Sequence, residues 1–213
     1  MRKKQMKTLL LETIRFENGK FFNLERHTTR MNRSRKMLFG ITDEIDPNKI
    51  SSQLRVSSPE DRSISEKSHY KCRVIYAEDI ETIEFVPYQL PLVRSLKIIT
   101  DNTLDYSFKY LERNRLEQLY KQKDTCDDIL IVKNGLITDT YFANILFYNG
   151  TKWITPAHPL LKGTQRQYLL ETDQIVMADI RPEDLKHFQK ARLINAMIGF
   201  EDRVEVDIRN VRK

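Results

Sequence analysis

The strongest structural signals of this chain lie in residues 127–166, DDILIVKNGLITDTYFANILFYNGTKWITPAHPLLKGTQR. Two Asn-Gly pairs, Asn134-Gly135 and Asn149-Gly150, interrupt runs of Ile, Leu, Val, Phe and Tyr. Asn-Gly between apolar runs is the strongest local signal for a β-hairpin closed by a type I′ turn. The segment therefore predicts two tight hairpins in succession.

A glycine-bearing loop follows the second hairpin. Leu161-Lys162-Gly163 leads into residues 164–170, TQRQYLL, which predict a helix. A helix that begins after Gly163 presents backbone N–H groups at its N-terminus, and such groups bind phosphate. An acid, an amide, a hairpin and an anion-binding loop within 40 residues indicate a cofactor cradle.

These residues carry a resemblance to a known family. Residues 139–147, DTYFANILF, followed by Thr155, Leu161-Lys162-Gly163 and Arg166, resemble the signature of the class IV aminotransferases. That family consists of pyridoxal-phosphate (PLP) enzymes and includes branched-chain and D-amino-acid transaminases and aminodeoxychorismate lyase.

Five further segments resemble the family in the same order. Residues 12–15 and 27–31 resemble a strand of its small domain and its phosphate-binding arginine helix, and residues 109–111 resemble its Schiff-base lysine segment. Residues 114–118, NRLEQ, are similar to the corresponding segment of the lyases, and residues 193–197 resemble the second phosphate-binding loop of the family. The resemblance thus spans nearly the whole chain.

The resemblance implies an α+β protein with two mixed α/β domains of the D-amino-acid aminotransferase-like fold and an active site at their junction. We expect a small α+β domain over residues 1–90 and a larger cofactor-binding α+β domain over residues 91–213, with a linker near residues 89–94. Family members pair, so a homodimer is implied as well.

The resemblance also implies the site residues. Lys109 would form the Schiff base with PLP and act as the catalytic acid–base group, and Asp139 would face the pyridine nitrogen. Leu161 would pack on the pyridine face. The phosphate would be held by Arg30, Gly163, Thr164, Gln165, Asn195 and Ala196.

Each residue has a plainer interpretation when it is taken alone. Lys109 would be a surface lysine, Asp139 a turn-capping acid and Asn195 an ordinary strand end. Asn144 is interpreted as a structural amide at the start of a strand. Arg30 stands among Arg26, Arg33, Arg35 and Lys36, and these four are interpreted as a solvated basic face. Only the order and spacing of the motifs favour the cofactor roles.

The chain departs from the family pattern at three places. The family usually has Glu at the position of Asp139 and an aliphatic residue at the position of Thr164. The sequence also begins almost at Glu12, so N-terminal strands that often supply substrate contacts are expected to be missing.

Composition sets the broad class of protein. The 213 residues carry 40% hydrophobic and 31% charged residues and a net charge of +6, which is typical of a soluble globular protein. No apolar run approaches the roughly 18 residues of a membrane helix. Two cysteines without a CxxC pair favour the cytoplasm, and His69, His158 and His187 lack metal-ligand spacing, so no metal is expected.

The periodicity predicts the individual elements. Helices are expected over residues 24–39, 47–54, 112–123, 164–171 and 182–189, with Gly40 ending the first. Residues 57–68 are expected to form an exposed loop. Strands are expected over residues 8–16, 20–23, 70–76, 81–87, 96–100, 129–133, 136–138, 145–148, 153–155, 192–195 and 203–206.

Three function classes remain open from the sequence. The leading one is a PLP enzyme acting on a small anionic amino acid or an aminodeoxychorismate-like compound, either a transaminase or a lyase that releases pyruvate and leaves 4-aminobenzoate for folate synthesis. The second is a non-catalytic protein that keeps the class IV fold. The third is a basic nucleic-acid-binding protein, which is disfavoured because no aromatic stacking stripe accompanies the basic helix. No membrane partner is expected.

Overall fold

The computed structural model describes residues 7–52 and 69–213 of the chain. The chain divides into two compact units, of which the first comprises Met1–Gln89 and Phe108–Glu112. The second comprises Leu90–Ser107 and Arg113–Lys213. Each unit combines a β-sheet with helices, which confirms the predicted α+β class. The loop predicted over residues 57–68 lies outside the described residues.

The first unit contains a four-stranded antiparallel sheet. Its strand order is β2-β1-β3-β4. Buried and partly exposed residues alternate along β1, so that Leu10, Glu12 and Ile14 face the core. A carboxylate therefore occupies a position that the alternation reserves for apolar side chains. The strands are β1 (Leu10–Glu17), β2 (Lys20–Phe21), β3 (Tyr70–Tyr76) and β4 (Ile80–Pro87).

Helix α1 (Leu24–Phe39) has the predicted bounds. Its apolar stripe buries His27 and Met31, and it ends at Gly40, whose φ of 73° lies in the left-handed region that favours glycine. A shorter helix, α2 (Pro47–Ser51), begins where Asp46 accepts a hydrogen bond from the Asn48 N–H, as its Asp-Pro start predicts.

The interpretation of Arg35 as part of a solvated basic face is wrong. Its side chain is 1% exposed. Arg35 donates to the carbonyl oxygens of Glu78 and Asp43, each at 2.6 Å, and to the Asp43 carboxylate at 3.1 Å. The guanidinium thus ties two loops to the helix, which a count of basic residues does not reveal.

The second unit contains a nine-stranded mixed sheet. Its main path runs β10-β9-β8-β7-β6-β5-β13, while β11 pairs with both β8 and β12. The strands are β5 (Leu96–Thr100), β6 (Asp128–Lys133), β7 (Leu136–Thr140), β8 (Asn144–Tyr148), β9 (Trp153–Pro156), β10 (Val176–Ala178), β11 (Lys190–Ile194), β12 (Glu205–Asp207) and β13 (Val211–Arg212). Its helices are α3 (Asn114–Tyr120) and α4 (Thr164–Glu171), with a 3-10 helix over Pro182–His187.

Both predicted hairpins form, but only one has the predicted turn. Asn134 and Gly135 have φ values of 52° and 78°, as a type I′ turn requires. At the second hairpin only Gly150 has a positive φ, of 98°. The Asn149 side chain instead accepts hydrogen bonds from the backbone N–H groups of Thr151 and Lys152, which closes a longer loop.

Several element predictions need correction. Strand 20–23 is β2 (Lys20–Phe21), and strand 192–195 is β11 (Lys190–Ile194). The helix predicted over residues 112–123 is α3, which spans only Asn114–Tyr120, because the chain before it pairs with β1. Residues 182–189 form a 3-10 helix that ends at His187. The last predicted strand begins at Glu205, since Arg203 has a left-handed φ of 51°. Among the described residues, no helix has the length and hydropathy to cross a membrane.

Candidate active site

The acid Asp139 lies at the end of β7 and is held at both oxygens. The Asn144 amide donates to Oδ1 at 2.7 Å, and the Leu161 backbone N–H donates to Oδ2 at 3.0 Å. Asp139 and Asn144 are paired in the β7–β8 ladder, which brings the two side chains together. The structure therefore joins the predicted acid to the predicted 161–163 loop within the second unit.

Burial shifts the acidity of this carboxylate. Asp139 is 5% exposed, and burial raises its pKa to about 6, although the hydrogen bonds from Leu161 and Asn144 and the charge of Arg166 oppose the shift. The groups that hydrogen-bond its oxygens are neutral. A cation placed against the carboxylate would supply the charge that favours its ionised form.

Helix α4 begins directly after the loop. Gly163 is its N-cap, and the Gln167 N–H donates to the Gly163 carbonyl as the first bond of the helical ladder. Thr164 is buried in the first turn. Arg166, also buried, donates to Thr155 at 3.2 Å and to the Pro156 carbonyl at 2.8 Å, so it anchors the helix start to β9.

The second predicted loop follows β11. Ile194 pairs with Asn144, so the turn over residues 195–198 comes directly after the strand that neighbours β8. The Asn195 side chain accepts from the Met197 and Ile198 N–H groups at 2.7 and 2.9 Å and donates to the Phe142 carbonyl at 3.2 Å. Those bonds shape the turn, and the Asn195 N–H donates to the Ile198 carbonyl at 3.0 Å, so any anion contact here would come from the backbone of Ala196.

The first unit contains a buried ionic cluster that the sequence did not reveal. Glu12 is completely buried and accepts hydrogen bonds from Arg30 Nε at 2.8 Å and Arg30 Nη2 at 2.6 Å. His27 Nδ1 lies 2.6 Å from the same carboxylate. Because a carboxylate only accepts, His27 is its third donor. The predicted arginine is thus fixed side-on by an acid from the neighbouring strand.

The protonation states in this cluster follow from its charges. Burial raises the pKa of Glu12, but Arg30 and His27 outweigh burial and hold the pKa at about 2. Burial lowers the pKa of His27, against the pull of Glu12, so the imidazole is neutral. Glu12 and Arg30 form the ion pair, and His27 adds a neutral donor.

Lys109 lies in the first unit, beside this cluster. Its carbonyl accepts from the Leu11 N–H at 2.9 Å, and Leu10 and Tyr110 form an isolated antiparallel bridge. Lys109 is half-buried. The positive charge of Lys109 is one of the causes that lower the pKa of His27, so the two side chains interact electrostatically.

Two residues of this arrangement were not predicted as site residues. Glu12 and His27 were recognised only as parts of family-like segments. The signal for Glu12 was present in β1, where it replaces an apolar residue in the series Leu10, Ile14 and Phe16. An acid at an inward position of an alternating strand indicates a buried partner.

Comparison with known proteins identifies the family of this chain. The family model for amino-transferase class IV matches residues 9–201. An uncharacterized protein of Haemophilus influenzae is 34% identical over 190 residues, which cover 89% of this chain and 98% of that protein.

Solved structures show the same fold. A Haemophilus somnus protein provisionally named 4-amino-4-deoxychorismate lyase has a TM-score of 0.83 and 34% identity, covering 92% of this chain and 100% of that chain. A Mycobacterium tuberculosis protein named as a hypothetical aminotransferase, in its PLP-bound form, has a TM-score of 0.75 at 16% identity, covering 96% and 81%. The family match and the 34% identical relatives show that this chain belongs to the class IV aminotransferase family of PLP-dependent enzymes.

Proposed function

We propose that this PLP-dependent enzyme is an aminodeoxychorismate lyase-like protein that releases pyruvate from its substrate and leaves 4-aminobenzoate for folate synthesis. The observation that carries the PLP role is the buried Asp139 carboxylate, held by two neutral donors beside the loop that opens α4. The lyase reaction is supported by the 34% identical Haemophilus somnus structure that carries that name. The NRLEQ segment at residues 114–118 also favours the lyases.

Asp139 is the residue that we propose to face the pyridine nitrogen. Bound PLP supplies an electron-accepting ring that stabilises negative charge on the α-carbon of the substrate, and it does so best with its nitrogen protonated. A carboxylate with a pKa raised to about 6 is mostly ionised at neutral pH, and a pyridinium would favour that form further. Asp is one methylene shorter than the usual Glu, but it offers the same charge.

We propose that the remaining predicted residues bind the phosphate of PLP. Arg30 brings a guanidinium whose orientation is set by Glu12, while Gly163, Thr164 and Gln165 bring backbone N–H groups at the start of α4. Ala196 adds its backbone N–H, and Asn195 shapes the turn that presents it. Leu161, whose N–H contacts Asp139, is suited to pack against the ring.

Lys109 is the residue that we propose to hold PLP covalently and to move the α-proton of the substrate. Such a lysine must be partly deprotonated near neutral pH, which requires burial or nearby positive charge. The half-buried position of Lys109 supports this assignment.

A transaminase is the second candidate, because the family model itself describes amino-transferases. The two reactions differ in their products. A lyase converts 4-amino-4-deoxychorismate to 4-aminobenzoate and pyruvate without a second substrate, whereas a transaminase needs a keto acid to accept the amino group.

The test combines cofactor trapping with a product assay. The purified protein is incubated with PLP, its visible absorption is recorded, and borohydride reduction is followed by peptide mapping. It is then given 4-amino-4-deoxychorismate alone, and pyruvate is measured with a coupled dehydrogenase. Pyruvate formation that Lys109→Ala abolishes supports the lyase. Amino-group transfer to added keto acids, without pyruvate from the lyase substrate, contradicts it.

Two further properties are proposed with this function. We propose a homodimer, because family members use a second subunit to complete their sites, and a cytoplasmic location, because two cysteines without a paired motif suit a reducing compartment. The substrate is a small anionic compound, and the net charge of +6 suits such a substrate.

A further inference from the structure

The amide of Asn144 connects the proposed catalytic acid to the loop before α4. Its Nδ2 donates to Asp139 Oδ1 at 2.7 Å and to the Leu161 carbonyl at 2.9 Å. The residue is 6% exposed. Both N–H groups of the amide are therefore used, and they tie β7 to the loop.

Gly163 is a glycine because of this amide. Its φ of −70° and ψ of 145° are ordinary extended values that any residue adopts, so backbone strain does not explain it. A Cβ added at Gly163 would lie 2.0 Å from Asn144 Oδ1 and 3.2 Å from Asn144 Cγ. Since the amide is bonded at its nitrogen, any larger residue at position 163 would displace it.

We propose that Asn144 is a positioning residue for Asp139, and that Gly163 leaves the space in which the Asn144 amide is held. The loop residue Leu161 completes the arrangement, because it donates to Asp139 and accepts from Asn144. The acid and the helix start therefore have one common support. The inference rests on the proposed role of Asp139 at the pyridine nitrogen.

The charge of Asp139 is what the amide controls. The carboxylate lies in a dry site, where a missing donor disfavours the ionised form. Loss of one hydrogen bond to a charged group changes the pKa of that group by roughly one to two pH units. Loss of the amide should therefore raise the pKa of Asp139 above its value of about 6 by that amount.

The experiment is a double-mutant cycle on the full-length protein. The four members are wild type, Asn144→Ala, Gly163→Ala and the double variant, and Thr138→Val is the control. Thr138 is buried on the same strand, one residue before the acid, and its hydroxyl donates to the Ile131 carbonyl instead. The pKa of Asp139 is read from its carboxyl carbon resonance without PLP, and the PLP dissociation constant is read by visible titration.

The expected result is a coupled pattern. Asn144→Ala raises the pKa of Asp139 by about one to two pH units, and Gly163→Ala raises it in the wild-type background because the amide is displaced. In the Asn144→Ala background Gly163→Ala has little further effect, since the clash is gone. Thr138→Val leaves the pKa unchanged. PLP affinity falls in Asn144→Ala and Gly163→Ala alike.

Two outcomes overturn the inference. It fails if Asn144→Ala leaves the pKa of Asp139 within about 0.3 pH units of wild type, or if Gly163→Ala has the same effect with and without Asn144. Should Asn144→Ala not fold, Gly163→Ala alone decides by the same pKa. A coupled pattern together with full activity of Asp139→Asn would support the positioning by Asn144 and contradict the proposed role of Asp139.

Discussion

Replacing Arg30 by alanine should expose how much the buried Glu12 cluster stabilises the first unit. Glu12 is completely buried, and its pKa is about 2 against an ordinary value of 4.5. A pKa difference of this size corresponds to about 3 kcal/mol of stability. Because the folded-state pKa is lowered, this stability is present above pH 4.5 and is lost as the pH falls towards 2.

Arg30→Ala removes the ion pair and leaves a buried carboxylate with only the His27 donor. Breaking a buried pair by removing one partner costs about 3–5 kcal/mol. The cost should be largest at neutral pH, where Glu12 must stay ionised. It should shrink on acidification from pH 7 to pH 4, because burial then raises the pKa of Glu12 and protonation relieves the cost.

The assay is urea unfolding followed by circular dichroism at several pH values between 7 and 4, without PLP. The quantity compared is the difference in the free energy of unfolding between wild type and variant. Arg33→Ala is the matched control, because Arg33 is exposed on the same helix and should change stability by less than about 0.5 kcal/mol. A loss below about 1 kcal/mol for Arg30→Ala at pH 7, or a difference independent of pH, would refute the reasoning.

Three further predictions follow from the proposed site. Asp139→Asn should keep PLP bound but reduce turnover, because an amide does not hold the pyridine nitrogen protonated, and Asp139→Glu should reduce turnover less. The measurement is steady-state kinetics. Equal rates for wild type and Asp139→Asn would exclude Asp139 from the mechanism. Arg30→Ala should raise the PLP dissociation constant about tenfold to a hundredfold, because hydrogen bonds to charged groups are worth about 1.5–3 kcal/mol. The constant is measured by visible titration. An equal effect of Arg33→Ala would show that α1 attracts the phosphate only by its overall positive charge. Sedimentation should show a homodimer, and a fully active monomer at micromolar concentration would contradict it.

Local signals in the sequence were enough to predict several elements to the residue. Helices α1 and α4 and strands β3 and β5 have the predicted bounds. Gly40 marks the end of α1, and Gly163 marks the start of α4. The sequence also placed Asp139 and the loop at Leu161 in one segment of 40 residues, but the hydrogen bond between them was not predicted.

Non-local contacts account for the predictions that failed. Strand β10 was not predicted, because it is three residues long and depends on parallel pairing with β9. The start of α3 was placed too early, because residues before Asn114 pair with β1, about 100 positions away in the chain. The turn at Asn149 differs for a local reason, because the Asn149 side chain accepts the backbone N–H groups of Thr151 and Lys152 instead of forming a type I′ turn.

The buried charged residues likewise could not be predicted from the sequence alone. Arg35 and Glu12 are indistinguishable in composition from solvated residues, and only the tertiary structure provides their partners. For Glu12, the alternation along β1 marks an acid at an inward position, but it does not identify the partners of that acid. The roles of Arg30 and Lys109 still rest on the family resemblance and remain predictions.

The most direct test of the account is to identify the lysine that binds PLP. The purified protein is loaded with PLP, reduced with borohydride and digested, and the labelled peptide is sequenced by mass spectrometry. The account predicts that the label lies on Lys109, and that Lys109→Ala abolishes both the label and the visible absorption of the bound cofactor while the circular dichroism stays unchanged. A label on another lysine, such as Lys97 or Lys121, would contradict it.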